Sequence, residues 1–240
     1  MKFGLLIGID YRGKELELRG CVDDVKSVQS YLKGCGYEQF IMLTDDGVKP
    51  TGQNIARAFN TLLENINNGS VSEVWIHYSG HGSHIRDCDG DEDDGFDEVL
   101  VPLDYEHGVI SDDFINKYFI SKINNENVKI YIFSDSCHSG TVMDLEYKNI
   151  NGEWVRENNK CTSGKIICIS GCRDDQESAE CFNLNNGRWG GALTTTLLEV
   201  IRDKPSFREL LQIFEARLQC YNQVPLLTAS WTFNIDDCFY

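Results

Sequence analysis

A histidine and a cysteine each stand directly after a short apolar run of the sequence. His81 follows the run at residues 74–78, Cys137 follows the run at 130–134, and glycine lies close to both. A cysteine thiolate is a strong nucleophile, and an imidazole can take the thiol proton and later return it to a leaving amine. If the two runs are neighbouring strands, the residues face each other across a cleft and predict nucleophilic acyl transfer by a Cys/His pair.

Backbone groups beside this pair could stabilise the oxyanion of such a reaction. The N–H groups of Gly82 and Cys137 lie at the two strand ends, where glycine permits close backbone approach. The alternative is that Cys137 is one of ten small buried thiols and that His81 is a loop residue. The two glycine-flanked strand ends favour the catalytic interpretation. His77, inside its apolar run, is interpreted as a packed core residue.

The elements that must position these residues alternate along the chain. Continuously apolar runs predict strands at residues 3–9, 40–43, 74–78, 129–134 and 166–170. Helices are predicted between and after them at residues 22–32, 55–66, 112–123 and 192–202, and a capping-box pattern at Ser206 and Glu209 opens another that runs to about Cys220. This alternation predicts a three-layer α/β fold with a mostly parallel central sheet flanked by helices, whose site lies at the carboxyl ends of the strands.

The composition is that of a globular chain with one interruption. Its 240 residues are enough to bury a sizeable core, and 41% of them are apolar and 25% charged. The stretch at 146–163 is polar and lacks periodicity, which predicts a surface loop. It would link a first part at 1–145, which carries the Cys/His pair, to a second part at 164–240. Together they are expected to form a single domain.

The acidic charge is concentrated in one stretch. Residues 87–113 contain twelve of the 38 Asp and Glu residues and none of the 22 Lys and Arg residues, so they supply most of the net charge of −16. Nucleic acids and anionic membranes need basic patches, so we expect neither as a partner. The acids at 87–98 nearly fit an EF-hand calcium loop, but Glu92 stands where that loop needs glycine. A solvated loop is the expectation for 89–94.

The sequence shows no targeting or membrane segment. Asp10 interrupts the N-terminal apolar run, and no run approaches the roughly 18 apolar residues of a membrane span. We therefore expect a cytoplasmic protein. Its ten cysteines include no CxxC pair, which argues against a zinc ribbon or a thioredoxin-type site. We expect reduced thiols, with a disulfide scaffold as the minor alternative.

At its motifs the sequence resembles the metacaspases, a family of caspase-like cysteine peptidases. The matching segments are YSGHG at 78–82, DSCHSG at 135–140, GCVDD at 20–24, ISGCRDDQ at 169–176 and GGA at 190–192. The separation of 56 residues between His81 and Cys137 also suits the caspase pattern. The resemblance covers the chain from Phe3 to about Trp231. It implies a caspase-like fold, an endopeptidase that cleaves after Arg or Lys, activation by calcium, and a monomer.

Carboxylates near the pair would give specificity for basic side chains. Animal caspases carry glutamine two residues before the catalytic cysteine and use arginines to accept Asp, whereas this chain has Asp135 at that position. A carboxylate there would attract Lys or Arg at P1, the residue before the scissile bond, and would repel an acidic one. The resemblance makes Asp24 the second pocket acid, with Cys21 and Ser79 lining the pocket. Asp24 also fits as an acid at a helix start, and the two roles are compatible.

The resemblance further implies a calcium site built from separate loops. The residues that match the family's ligands are Asp97, Asp112, Asp113 and Asp144. Carboxylate oxygens suit Ca²⁺, and four clustered carboxylates would repel one another without a cation. Asp144 lies seven residues after Cys137, so a filled site could order the loop of the nucleophile. Asp112 has an alternative role as an acid at a helix start.

The sequence departs from the family pattern at its N-terminus and in its linker. No proline-rich or zinc-finger prodomain precedes Phe3 and no long insert follows, so we expect a minimal type I-like core. Basic residues that could be sites of self-cleavage are Lys148, Arg156 and Lys160. Two other functions stay open. One is a non-catalytic calcium-binding or scaffolding homologue, and the other is a peptidase with a different P1 preference. The presence of both His81 and Cys137 argues against the first.

Overall fold

The structure is a computed structural model that describes residues 1–87, 95–137, 143–172, 180–183 and 188–239. These residues contain thirteen strands and five α-helices. The strands, in chain order, are β1 (Lys2–Gly8), β2 (Gln39–Thr44), β3 (Glu73–Ser79), β4 (Gly82–Arg86), β5 (Phe96–Leu100), β6 (Ile110–Ser111), β7 (Lys129–Asp135), β8 (Tyr147–Ile150), β9 (Glu153–Arg156), β10 (Lys165–Ser170), β11 (Glu180–Asn183), β12 (Arg188–Gly191) and β13 (Leu226–Ala229). The helices are α1 (Cys21–Gly34), α2 (Gly52–Asn67), α3 (Asp112–Tyr118), α4 (Ala192–Val200) and α5 (Phe207–Leu218).

Eight of these strands form one central sheet in the order β2-β1-β3-β7-β10-β13-β8-β9. The first five run parallel to one another, and β13, β8 and β9 are added antiparallel at one side. Parallel neighbours need crossover connections, and the helices largely supply them. The mostly parallel sheet that the sequence predicts is confirmed.

The central strands are buried on both faces because alternate side chains enter different cores. On β3, Val74 and Ile76 pack in the core that includes α2 and α3, whereas Trp75 packs in the core that includes α1, α4 and α5. Each fully buried side chain of this kind contributes roughly 1.5–3 kcal/mol. The three-layer α/β architecture is therefore confirmed. By the same alternation, Ser79 and Asp135 at the ends of β3 and β7 belong to the face covered by α1 and α4.

The helices begin and end close to the predicted positions. At the start of α5 the Ser206 hydroxyl accepts from the Glu209 N–H while the Glu209 carboxylate accepts from the Ser206 N–H, which is the predicted capping box. α4 begins after Gly191, which has no side chain to cap it. The helix predicted at 112–123 ends earlier, because the chain tightens into a 3₁₀ turn at Ile120–Lys122.

The prediction of a loop at 146–163 is wrong for the residues that form the hairpin of β8 and β9. β8 pairs with β13, so the hairpin extends the central sheet. Its turn is Asn151-Gly152, both at positive φ (53° and 93°), and this dipeptide is the strongest short hairpin signal in a sequence. The strands are polar because β9 is the edge of the sheet and β8 lies next to it, so no apolar run marks them in the sequence.

Two small sheets that the sequence analysis did not identify surround the strand ends. One is β4-β5-β6, which begins directly after His81, and the other is β11-β12, which leads into α4. Their strands are two to five residues long, and too short for a clear periodic pattern. The predicted solvated loop at 89–94 lies outside the described residues, as do 138–140 and 173–176 of the family motifs.

The described residues also bear on membrane and cysteine chemistry. Among them, no helix combines the length and apolar character needed to cross a membrane. The described cysteines that are free thiols are Cys21, Cys35, Cys137, Cys161, Cys168, Cys172, Cys220 and Cys238.

Candidate active site

The structure brings the backbones around His81 and Cys137 together. β3 and β7 pair in parallel with Ser79 opposite Asp135, two residues before the histidine and the cysteine respectively. A Cβ atom at Gly82 would overlap the Cys137 carbonyl oxygen, so only glycine allows this approach. The two residues therefore lie at the carboxyl ends of adjacent strands, and both are partly exposed.

The His81 ring is oriented by a backbone carbonyl. Its Nε2 lies 2.9 Å from the carbonyl oxygen of Leu16. A carbonyl oxygen only accepts hydrogen bonds, so Nε2 carries the proton and, in the neutral ring, Nδ1 carries the lone pair. The base that the predicted chemistry requires is therefore Nδ1. Leu16 has no side-chain signature in the sequence because its contribution is a main-chain oxygen.

Tyr11 supports the histidine from the segment that follows β1. Its hydroxyl donates to the Val101 carbonyl oxygen (2.6 Å) and accepts from the His81 N–H (3.0 Å), and its ring packs 4.9 Å from the imidazole. Burial raises the pKa of Tyr11 well above its ordinary value, so the hydroxyl stays protonated and keeps donating. The sequence signal is a tyrosine three residues after a buried strand, and we did not predict a role for it.

The two predicted pocket acids, Asp24 and Asp135, lie on either side of the start of α4. Asp24 Oδ2 accepts from the Ser79 hydroxyl (2.8 Å) and from the Gly191 N–H (2.9 Å). Asp135 Oδ2 accepts from both the N–H and the hydroxyl of Thr194 (2.8 Å each). Both carboxylates are buried, with exposed fractions of 6% and 4%. The structure thus brings Asp24, Ser79 and Asp135 together, although neither Thr194 nor Gly191 was predicted.

Glycines keep space beside the pocket acids. A Cβ at Gly190 would lie 2.7 Å from Asp24 Oδ1, and one at Gly191 would overlap Asp135 Oδ2. A real Cβ never approaches an oxygen so closely, so these positions must lack a side chain. Cys21, the remaining predicted lining residue, is buried at the first position of α1 and lies one turn before Asp24.

Three acids and one lysine form a second group, which we call the Lys160 cluster: Asp112, Asp113, Asp144 and Lys160. The Lys160 ammonium is paired with Asp144 Oδ2 and lies 3.4 Å from Asp113 Oδ1. Asp112 Oδ2 accepts from the Glu98 N–H (3.0 Å) and its Oδ1 from the Asp113 N–H (2.7 Å). Burial raises the pKa of Asp112 to about 7, and the charge of Asp144 adds to this rise.

The fit of this cluster to a cation is partial. Its donors are carboxylate oxygens, which are the ligands that Ca²⁺ prefers, and the lysine ammonium already stands in as a cation among them. Within the part of the chain that is described, no three His, Cys, Asp or Glu side chains are arranged to share one metal ion. Asp97, the fourth predicted ligand, is buried in β5, next in sequence to Glu98. A metal ion would therefore need Lys160 to leave and the carboxylates to turn inward.

Comparison with known proteins identifies relatives of the sequence. A family model described as "Metacaspase, peptidase C14 domain" matches residues 2–146. Metacaspase-3 of Arabidopsis thaliana is 35% identical in an alignment of 233 positions that covers 88% of this chain and 63% of that protein. Metacaspase-1 of Meyerozyma guilliermondii is 31% identical over 95% of this chain and 69% of its own length. The chain thus spans about two thirds of the length of these relatives.

Comparison with solved structures identifies the fold. The crystal structure of a Geobacter sulfurreducens protein matches 97% of this chain and 94% of its own with a TM-score of 0.70 at 24% identity. Caspase-1 from Spodoptera frugiperda matches 96% of this chain and 87% of its own with a TM-score of 0.62 at 13% identity. At such low identity the likeness shows the fold alone, and it confirms the predicted caspase-like fold.

Proposed function

The chain belongs to the metacaspase family of cysteine peptidases, and on that premise we propose that it is an active endopeptidase with Cys137 as nucleophile and His81 as general base and acid. The observation that carries the proposal is the meeting of the two strand ends, with the His81 tautomer set by the Leu16 carbonyl. That tautomer leaves Nδ1 as the basic nitrogen, which a proton acceptor for a thiol requires.

The reaction follows from this arrangement. The Cys137 sulfur attacks the scissile carbonyl carbon while the thiol proton passes to His81 Nδ1 and the carbonyl π electrons move to oxygen. The N–H groups of Gly82 and Cys137 are the donors that we assign to the resulting oxyanion. Collapse of the tetrahedral intermediate breaks the C–N bond, and the amine leaves with the proton from Nδ1. Water then hydrolyses the thioester, with His81 first taking a proton from the water and then returning one to sulfur.

We assign specificity for Arg or Lys at P1 to the pocket acids. Asp24 and Asp135 are held by hydroxyl and main-chain N–H donors, and such hydrogen bonds favour the ionised carboxylate. Two buried carboxylates beside the nucleophile attract a guanidinium or an ammonium group and repel an acidic side chain. Ser79 and Cys21 complete the walls of this pocket.

We further propose that Ca²⁺ stimulates the enzyme through Asp112, Asp113 and Asp144, with Asp97 as a fourth ligand. Support comes from the oxygen donors and from the lysine that already balances two of these acids. A bound divalent cation would supply the positive charge that Lys160 supplies now. Asp144 lies seven residues after Cys137 in the sequence, so a filled site could order the loop that carries the nucleophile.

For substrates and assembly we propose protein substrates with basic P1 residues and a monomeric enzyme. The β8-β9 hairpin covers β13, so the outermost strand on that side is the short, charged β9, and charged residues on an edge strand disfavour pairing with another chain. Of the candidate self-cleavage residues, Lys148 and Arg156 lie in paired strands, whereas Lys160 follows the hairpin. A peptidase needs an extended segment that is free of strand pairing, which favours Lys160, and cleavage there also requires its ammonium group to leave Asp144.

The test uses a fluorogenic peptide ending in Arg, with Ca²⁺ or with a chelator. We expect cleavage that is strongest with calcium and that falls by at least about 10³-fold in Cys137→Ala. Equal rates with chelator would contradict the calcium proposal. A chain that binds Ca²⁺ but neither cleaves the peptide nor reacts with an Arg chloromethylketone would instead be the non-catalytic homologue. Cleavage of peptides with other P1 residues would identify a peptidase of different specificity.

A further inference from the structure

A buried row of polar groups runs from the core to the pocket. His77 lies on β3, is fully buried, and places its ring against Phe133 at 6.1 Å between centroids. Its Nε2 lies 2.9 Å from the hydroxyl oxygen of Thr194, and that hydroxyl lies 2.8 Å from Asp135 Oδ2. The three side chains come from β3, α4 and β7, and all three are buried.

The direction of each proton in this row follows from the donors available. An ionised carboxylate only accepts, so the single hydroxyl proton of Thr194 points to Asp135. The hydroxyl oxygen must then accept from His77, which requires the tautomer with hydrogen on Nε2. His77 Nδ1 is buried without a hydrogen-bond partner, as suits a nitrogen that carries no proton. Burial also lowers the pKa of His77 to about 3, so the ring is neutral.

Asp135 also completes the start of α4. Gly191 precedes that helix and offers no side chain, so the first N–H groups lack an internal cap. Asp135 Oδ2 accepts from the N–H of Thr194, the third residue of the helix. The same oxygen thus receives two hydrogen bonds from one residue, which fixes the plane of the carboxylate.

We propose that His77 and Thr194 are positioning residues that fix the Asp135 carboxylate for a basic P1 side chain. The inference rests on the proposed function, because it assigns Asp135 to the substrate pocket. The His77 ring orients the Thr194 hydroxyl, and that hydroxyl orients the Asp135 carboxylate. The position of the carboxylate is thereby fixed by a side chain that is itself held in the core. A carboxylate free to rotate would bind a guanidinium less well, because paired hydrogen bonds require a set direction.

The experiment compares kcat and KM on Arg and Lys peptides for the full chain and three variants. Thr194→Val removes the hydroxyl but keeps the shape and the N–H, and we expect KM to rise about tenfold with kcat within about twofold. Thr194→Ser, the matched control, retains the hydroxyl and should stay close to the parent. His77→Phe keeps a planar ring and removes the donor, and KM should rise about threefold to fivefold.

Thermal melting of the variants and nitrogen-15 NMR of the His77 ring distinguish a failure of the positioning role from a failure of the proposed function. If the parent chain cleaves neither Arg nor Lys peptides, the proposed function fails. If it cleaves them while Thr194→Val and His77→Phe, shown folded by thermal melting, keep the parental KM, the positioning role is overturned. Nitrogen-15 NMR of the His77 ring is independent of activity. We expect a neutral ring protonated on Nε2 between about pH 5 and 8, and an imidazolium or the Nδ1–H tautomer would refute the row even if Thr194→Val fails to fold.

Discussion

The predicted pocket acids, Asp24 and Asp135, and the Lys160 cluster are two groups of carboxylates that are held differently. Asp24 and Asp135 are fixed by a serine hydroxyl, a threonine hydroxyl and main-chain N–H groups. Asp144 is paired with an ammonium group, and Asn158 donates to its other oxygen (2.9 Å). Neutral donors preserve the charge of a carboxylate, whereas a paired lysine cancels it.

This difference indicates what each group can do. A carboxylate held by hydroxyl and main-chain N–H donors keeps its charge, which suits it to a cationic side chain. In the Lys160 cluster a metal ion must displace the Lys160 ammonium group before it binds. Binding there therefore depends on the concentration of the metal ion. The first arrangement suits recognition of substrate, and the second suits regulation.

The largest loss of activity is expected from a substitution at Asp135, which tests whether the predicted pocket acids act independently of the Lys160 cluster. Asp135→Asn removes the charge but retains an acceptor for Thr194, and we expect kcat/KM on an Arg peptide to fall about 10²–10³-fold at any calcium concentration. Measurement of steady-state kinetics at saturating and limiting Ca²⁺ checks this. Retention of efficient Arg cleavage by the folded variant would refute the pocket assignment.

A smaller and different effect is expected at Asp144. Asp144→Asn keeps the shape but removes one carboxylate and the partner of Lys160, so the calcium concentration for half-maximal rate should rise about tenfold or more. KM for the Arg peptide at saturating Ca²⁺ should stay within about twofold. Titration calorimetry with Ca²⁺ gives the affinity without activity, and a changed P1 preference would contradict the separation of the two groups.

The sequence predicts the five parallel strands of the sheet, its helices and the residues at the strand ends, because each rests on a local pattern, whereas the antiparallel strands β13, β8 and β9 were not predicted. Apolar runs set β3 and β7, and glycines mark the turns where His81 and Cys137 stand. The Asn151-Gly152 turn was equally readable, and it was missed because the polar strands around it carry no apolar run.

The contacts that hold the site residues in place could not be predicted from the sequence, because the partners are distant in the sequence or are main-chain atoms. His77 and Thr194 are 117 residues apart, and a buried histidine in a strand has no local sign of a hydroxyl opposite it. The Leu16 carbonyl that orients His81 has no side-chain identity at all. The sequence indicates only that Lys160 is a candidate self-cleavage residue. Its ion pair with Asp144 could not be predicted, because it depends on the β8-β9 hairpin that brings the chain back towards Asp144.

The smallest expected effect tests whether Lys160 competes with calcium. Lys160→Met keeps the length of the side chain and removes the charge, so Ca²⁺ no longer displaces an ammonium group, and we expect half-maximal activation at about fivefold less calcium. Without Ca²⁺ the variant should melt at a lower temperature than the parent, because Asp144 then remains buried without its lysine, and added Ca²⁺ should raise its melting temperature more. Lys148→Met is the matched control, since it removes a lysine paired with Glu157 at the surface and should change neither quantity. An equal shift in both variants would mean that net charge, rather than competition at Asp144, sets the calcium response.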